Sequence, residues 1–78
     1  DETSNAIQIV PGSPDDIELG DIISYNSKDG DVIIHRVVEI SEDDEGIFYI
    51  AKGDNNPRPD NEKIRFFQVR RITVGIIY

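Results

Sequence analysis

The composition of the 78-residue chain points to strands, with 14 Ile and 6 Val against 2 Ala, 1 Leu and no Met. Branching at Cβ is restricted in a helix but packs well on a pleated sheet, so a helix bundle is excluded and one small β domain is predicted. The formal charge of −8 argues against a nucleic-acid-binding surface, and the absence of Cys excludes disulfides and thiolate chemistry.

The first third of the chain predicts two short strands. Residues 1–6 are polar and unpatterned, and we expect a disordered terminus or a cloning remnant there. Residues 7–10 predict a strand that ends at the Pro-Gly-Ser-Pro turn of residues 11–14. Residues 22–25 predict a second strand, and residues 26–30 predict the hairpin loop that follows it.

The longest predicted strand covers residues 31–40 and contains the single histidine of the chain, His35. Side chains alternate between the two faces of a strand, so His35 lies on one face and Ile34 and Val38 lie on the other. Because both faces carry β-branched residues, we expect both to be partly buried and predict Ile34 and Val38 to be core residues.

The second half of the chain predicts a return strand, an irregular loop and a final strand pair. The acidic cluster at residues 41–45 predicts a polar loop, and residues 47–51 predict the antiparallel partner of the long strand. Residues 52–60 contain one Gly, two Pro and two Asn, which are typical of an irregular loop. Residues 64–67 and 69–78 predict the last strands.

The hydrophobic alternation in the last segment slips around residues 68–71, as it does at a β-bulge. Residues 7–78 therefore predict a single all-β domain, with the form of a small, irregular antiparallel β-barrel or coiled sheet.

His35 admits a structural and a catalytic interpretation. A lone histidine in a strand is more often a half-buried residue bonded to a backbone carbonyl than a catalyst. The loop after its partner strand carries Asp54 and Asp60, and either carboxylate could return beside His35, hold its tautomer and stabilise the imidazolium. The same carboxylates could instead satisfy the backbone of the loop. One histidine with scattered carboxylates argues against a zinc site.

Three segments in order resemble one family: residues 20–25 (GDIISY), residues 32–37 (VIIHRV) and residues 49–56 (YIAKGDNN), with Asp60 following. They are similar to type I signal peptidases of the archaeal and endoplasmic-reticulum branch. The resemblance implies endoproteolysis of secretory preproteins after small residues, at a membrane surface, without cofactor or metal. It places His35 as the general base, where the bacterial branch has Lys. It also implies that Asp60 is the catalytic Asp and that Asp54 supports the site through hydrogen bonding.

The chain departs from this family at the nucleophile. The family serine lies in a Ser-Met-x-Pro motif after a transmembrane helix, and this chain has no Met. Ser13 lies in a Pro-flanked turn and is rejected, because aligning it with that motif leaves no room for the intervening strand. We therefore expect the nucleophile upstream of Asp1, with membrane anchoring through an N-terminal helix that is missing here. The catalytic domain would lie on the extracytoplasmic or lumenal side, and this chain by itself would be soluble and inactive.

Two other readings compete with a peptidase of this type. A non-catalytic β-module could bind an extended peptide by adding it to a free strand edge. An autoprotease domain of the DNA-damage-repressor type would use Ser and Lys, and His35 counts against it. The peptidase requires His35 and Asp60 to lie close together and open to a cleft, whereas the binding module permits a buried His35.

Overall fold

The computed structural model describes the backbone of residues 5–77 and the side chains of residues 7–75. Within these residues the chain forms strands and two short 3-10 turns, and it contains no α-helix, which confirms the predicted all-β class. The elements are β1 (Asn5–Ile9), a 3-10 turn (Pro14–Asp16), β2 (Ile22–Asn26), β3 (Val32–Asp43), β4 (Gly46–Lys52), β5 (Ile64–Arg65), a second 3-10 turn (Phe66–Gln68) and β6 (Val69–Ile77).

All six strands belong to one antiparallel sheet in the order β1-β6-β2-β3-β4-β5. The predicted pairing of the long strand with the return strand is confirmed as β3 against β4. Among the described residues, β1 and the two-residue β5 lie at opposite edges and do not pair with each other. The domain is therefore an open, irregular sheet rather than a closed barrel.

The sheet is irregular because three of its pairings contain a shift of register. The pairing of β2 with β6 shifts between Ser24 and Tyr25, whose partners are Arg71 and Val69, so Arg70 is the extra residue. The irregularity predicted around residues 68–71 is thus confirmed. A similar shift in β3 leaves Val38 between two paired residues. Such bulges bend a strand and increase its twist, which lets a small sheet curve around one core.

One face of the sheet carries the hydrophobic core. Its buried side chains come from β2, β3, β4, β5 and β6, and one comes from the segment before β2. They are Ile17, Ile23, Tyr25, Val37, Tyr49, Ala51, Ile64 and Ile72. Partners directly opposite in an antiparallel pair point to the same face, so Ile23 on β2 places the facing His35 of β3 on this inner face.

The prediction that Ile34 and Val38 are core residues is wrong. Ile34 is 60% exposed and Val38 is 41% exposed, whereas Val37, on the same face as His35, is 1% exposed. The alternation of β3 alone could not show this, because both faces of the strand are apolar. The sheet is a single layer whose core covers only the face that carries His35.

The acidic residues 41–45 do not form the loop predicted for them. β3 continues through Asp43, and only residues 44–45 turn before β4 begins. Asp43 tolerates this position because its carboxylate accepts hydrogen bonds from Arg65 at 2.9 and 2.7 Å and from Lys63 at 3.0 Å. These cations hold the pKa of the Asp43 carboxyl well below its usual range. Cations from β5 and the residue before it thus extend the hairpin.

The first strand begins two residues earlier than predicted. Asn5 and Ala6 pair with Ile77 and Ile76 of β6, so the strand includes the end of the segment expected to be disordered. The rest of that expectation, at residues 1–4, lies outside the described residues.

Candidate active site

β3 and the loop after β4 bring His35 and Asp60 into direct contact. His35 lies on the inner face of β3, and the loop returns Asp60 to the sheet, where the Asp60 amide donates to the Ala51 carbonyl at 2.8 Å. The His35 Nδ1 atom lies 2.5 Å from the Asp60 Oδ2 atom. Both side chains are 24% exposed, so the pair lies at the rim of the core and is open to solvent.

Tyr25 adds a second donor to the same carboxylate oxygen. Its hydroxyl lies 3.0 Å from Asp60 Oδ2 and donates to it, while the residue as a whole is 1% exposed. Burial, followed by the hydrogen bond to Asp60, raises the pKa of Tyr25 above its usual value. The phenol therefore stays neutral near pH 7 and can act only as a donor to Asp60.

This arrangement decides which imidazole nitrogen is free. A carboxylate can only accept, so the neutral His35 ring carries its proton on Nδ1 and leaves a lone pair on Nε2. That nitrogen can take a proton from a hydroxyl, after which Asp60 stabilises the imidazolium. The pair thus has the geometry of a general base and the group that orients it.

Gly53 borders the free nitrogen. A Cβ atom at this position would lie 2.9 Å from His35 Nε2 and 2.9 Å from Asn56 Nδ2, closer than real side chains approach. The Asn56 amide donates to the Gly53 carbonyl at 2.9 Å, which closes a tight turn over the ring. Glycine therefore lets the loop pass close to His35.

Asp54 points to a different partner. It accepts two hydrogen bonds from Arg36, at 3.0 Å from Nε and 3.1 Å from Nη2, and this guanidinium lowers the pKa of the Asp54 carboxyl. Arg36 also donates from Nη1 to the Gly20 carbonyl at 2.8 Å. Asp54 thus hydrogen bonds Arg36 rather than His35, and Arg36 links all three family-like segments; the support role of Asp54 stays a prediction.

A shallow depression lies beside Arg36 and Asp54. It has a volume of about 260 Å³ and is bordered by Ile22, Ile34, His35, Arg36 and Asp54. Within the described part of the chain, no group of three or more His, Cys, Asp or Glu side chains is placed to hold a metal ion.

The serines of the described residues lie elsewhere. Ser24 faces Ile34 on the outer face, opposite to His35. The Ser27 hydroxyl accepts from the Asp31 amide at 3.2 Å in the hairpin loop. Among the side chains that the structure describes, no serine hydroxyl hydrogen bonds to His35.

Ser13 lies toward the far end of β3. The next residue, Pro14, accepts from the Tyr49 hydroxyl at 3.2 Å, and it borders a groove with Glu45 at the turn of the β3–β4 hairpin. Tyr49 faces Ile40, five residues along β3 from His35, which corresponds to roughly 15 Å at the rise of a strand. The rejection of Ser13 as the nucleophile stays a prediction.

Sequence reasoning named His35, Asp60 and Asp54 but missed Tyr25 and Gly53. Both missed residues belong to the family-like segments, Tyr25 at the end of GDIISY and Gly53 within YIAKGDNN. Their residue types could have indicated these roles, since a buried tyrosine needs a hydrogen-bond partner and a glycine permits the backbone to approach another group closely.

Comparison with known proteins gives an independent match. The chain is similar to a signal peptidase subunit. It is 41% identical over 54 residues to the signal peptidase complex catalytic subunit sec11 of Schizosaccharomyces pombe, a match that covers 68% of this chain and 28% of that protein. The similarity supports the signal peptidase family indicated by the motifs, although the match spans little more than a quarter of the relative's length. No family model matches the chain, and no solved structure matches it.

The described residues include no helix with the length and apolar character needed to cross a membrane.

Proposed function

We propose that this chain is the β-rich domain of a serine endopeptidase that removes signal peptides from secretory preproteins. It would belong to the Ser-His-Asp type of the archaeal and endoplasmic-reticulum branch. The observation that carries the proposal is the 2.5 Å contact of His35 Nδ1 with Asp60, which leaves Nε2 as the basic nitrogen. The similarity to the sec11 subunit supports the same activity class.

The proposed reaction is acyl transfer through a serine. His35 Nε2 takes the proton of the serine hydroxyl as its oxygen attacks the scissile carbonyl carbon, and Asp60 stabilises the imidazolium. The imidazolium then protonates the leaving amine as the C–N bond breaks. Water then attacks the acyl-enzyme as His35 accepts its proton, and the imidazolium returns that proton to the serine oxygen as the acyl–oxygen bond breaks, which releases the signal peptide and restores the serine.

The nucleophile in this proposal comes from outside the described residues. Ser13 precedes Pro14, whose carbonyl contacts Tyr49, Ser24 lies on the face opposite to His35, and Ser27 bonds its own loop. We propose that a serine on a membrane-anchoring segment completes the site on the extracytoplasmic or lumenal side. The domain alone would then bind but not cleave a signal peptide.

A second candidate function is peptide binding by strand addition. Within residues 5–77, β1 pairs only with β6, so the other edge of Asn5–Ile9 offers unpaired backbone groups. This function does not require the contact between His35 and Asp60. It would be recognised by chemical-shift changes at the β1 amides when a peptide is added, without cleavage in any form of the protein.

The test of the peptidase function uses the full-length protein and a signal-peptide substrate with small residues before the cleavage site. We expect His35→Ala to lower the cleavage rate by about 10²–10⁴-fold, the usual contribution of a general base. Far-UV circular dichroism and the unfolding midpoint should stay close to wild type, since His35 lies at the rim of the core.

Two outcomes would contradict the proposal. Full cleavage by a folded His35→Ala protein would exclude His35 as the base. Cleavage by the 78-residue chain alone, abolished by Ser13→Ala, would overturn the assignment of the nucleophile to a segment outside it.

A further inference from the structure

We infer that Tyr25 is a positioning residue for the general base, acting through Asp60. This inference rests on the proposed function and adds a fourth group to the Ser-His-Asp set. The Tyr25 hydroxyl and His35 Nδ1 lie 3.0 and 2.5 Å from the same atom, Asp60 Oδ2. Two donors on one oxygen fix where that oxygen lies, and its position in turn fixes the imidazole ring.

The position of Tyr25 makes it a rigid donor. Tyr25 lies on β2 opposite Ile33, two residues before His35 on β3, so its ring and the imidazole share the inner face. The ring is held in the core at 1% exposure. Asp60, by contrast, lies on an irregular loop. The hydrogen bond from its backbone amide to the Ala51 carbonyl fixes only the backbone. The carboxylate therefore depends on side-chain donors for its orientation.

Electrostatics keep the Tyr25 hydroxyl protonated. Burial and the negative carboxylate both raise the pKa of the phenol, so Tyr25 stays protonated near pH 7 and donates to Asp60. Hydrogen bonds to a charged group are stronger than neutral ones, and this one is partly shielded from water. Tyr25 thus holds Asp60 without exchanging a proton with it.

Tyr49 provides a matched control within the same core. It is 0% exposed, and its hydroxyl also makes a hydrogen bond, but to the Pro14 carbonyl at 3.2 Å rather than to Asp60. Tyr25→Phe and Tyr49→Phe each remove one buried hydroxyl from a core tyrosine. A purely structural role of Tyr25 predicts similar consequences for both changes.

The first experiment measures the His35 Nδ1 proton by NMR in the 78-residue chain, where no cleavage is needed. We expect Tyr25→Phe to speed exchange of this proton with water by about tenfold, roughly the loss of one hydrogen bond, and Tyr49→Phe to change it less than twofold. In wild type, a nuclear Overhauser effect should connect the Tyr25 hydroxyl proton with the His35 Nδ1 proton. Its absence from folded wild-type protein would overturn the inference even if Tyr25→Phe failed to fold.

The second experiment measures cleavage by the full-length protein. We expect Tyr25→Phe to lower kcat about tenfold with KM unchanged, and Tyr49→Phe to leave both within twofold. In an Asp60→Asn background, Tyr25→Phe should add little further loss, because Tyr25 acts through Asp60. Equal effects of the two Phe changes on the NMR exchange and on kcat would overturn the inference. If the NMR result holds while His35→Ala still cleaves, the positioning stands and the proposed function fails.

Discussion

His35 and Arg36 are neighbours in sequence, and each binds an aspartate from the same loop, but on opposite faces of β3. On the inner face, His35 contacts Asp60, and both side chains are 24% exposed. On the outer face, Arg36 contacts Asp54, and these side chains are 41% and 63% exposed. One loop thus supplies both carboxylates, and the alternation of the strand separates them.

The difference between the two pairs shows why one is suited to chemistry. Arg36 stays protonated at every physiological pH, so its bidentate contact with Asp54 cannot move a proton. We call this exposed Arg36–Asp54 ion pair the outer clamp. The neutral imidazole of His35 keeps a lone pair on Nε2 that can accept a proton, and its partner Asp60 is less exposed to water than Asp54. Lower exposure and an imidazole partner together distinguish the inner pair.

The largest expected effect comes from neutralising each aspartate in turn. We expect Asp60→Asn to lower kcat about 10³–10⁴-fold, because an amide can donate to Nδ1 and favour the wrong tautomer. Asp54→Asn should lower kcat by less than about fivefold, because it loosens only an exposed clamp. Both are measured by cleavage of a signal-peptide substrate with the full-length protein. Equal losses of kcat in the two variants would mean that Asp54 takes part in the reaction and that the two aspartates do not differ in role.

The two faces should also differ in stability. We expect Ile72→Ala, on the inner face, to cost about 2–5 kcal/mol of unfolding free energy, because Ile72 is 1% exposed and its removal leaves a cavity. Ile34→Ala, on the outer face, should cost less than about 1 kcal/mol, since the side chain is 60% exposed. Urea unfolding of the 78-residue chain measures both. A comparable cost for Ile34→Ala would show that the outer face is covered in solution.

Gly53 tests how closely the loop must approach the inner pair. Gly53→Ala would place a methyl group 2.9 Å from His35 Nε2, so we expect a loss of about 1–3 kcal/mol of unfolding free energy and reduced cleavage. Gly75→Ala is the control, because its Cβ would meet the Ile7 side chain at an ordinary 3.8 Å. An unchanged cleavage rate in Gly53→Ala would mean that the loop moves away from His35 during the reaction.

The smallest effect concerns the pH dependence of the outer clamp. Arg36 lowers the pKa of Asp54 in the folded state, so the clamp contributes stability above the unfolded value of about 3.9 and loses it as pH falls through the folded value. Wild type should therefore be slightly more stable than Asp54→Asn at pH 7, and the difference should shrink in acid and in high salt. Urea unfolding at pH 7 and pH 3 measures it. If the stability difference between wild type and Asp54→Asn instead grew at pH 3, the Arg36–Asp54 ion pair would be excluded as its source.

Much of the fold could be predicted because it follows from local patterns. The pairing of β3 with β4 follows from two apolar runs joined by a short polar segment, and the irregularity near residues 68–71 follows from a slip in alternation. The end of β3 could not be predicted, because Asp43 continues the strand only where Arg65 reaches it from β5. Local sequence gives no sign of that distant cation.

The candidate site was predictable in part. His35 and Asp60 could be named from their residue types and from the family-like segments, and the contact between them depends on where the loop returns. Tyr25 could not be assigned, because it joins Asp60 across a separation of 35 residues and reads locally as an ordinary core tyrosine.

The β architecture and the resemblance to signal peptidases follow from the amino-acid sequence, because side-chain branching and the order of motifs are local properties of the chain. Which face of β3 is buried depends on the packing of the folded sheet, since both faces are apolar and one layer of core covers just one of them. The tertiary structure also joins Asp60 to His35 and Tyr25 inside and Asp54 to Arg36 outside. That division arises from the path of the loop between β4 and β5, which carries both aspartates.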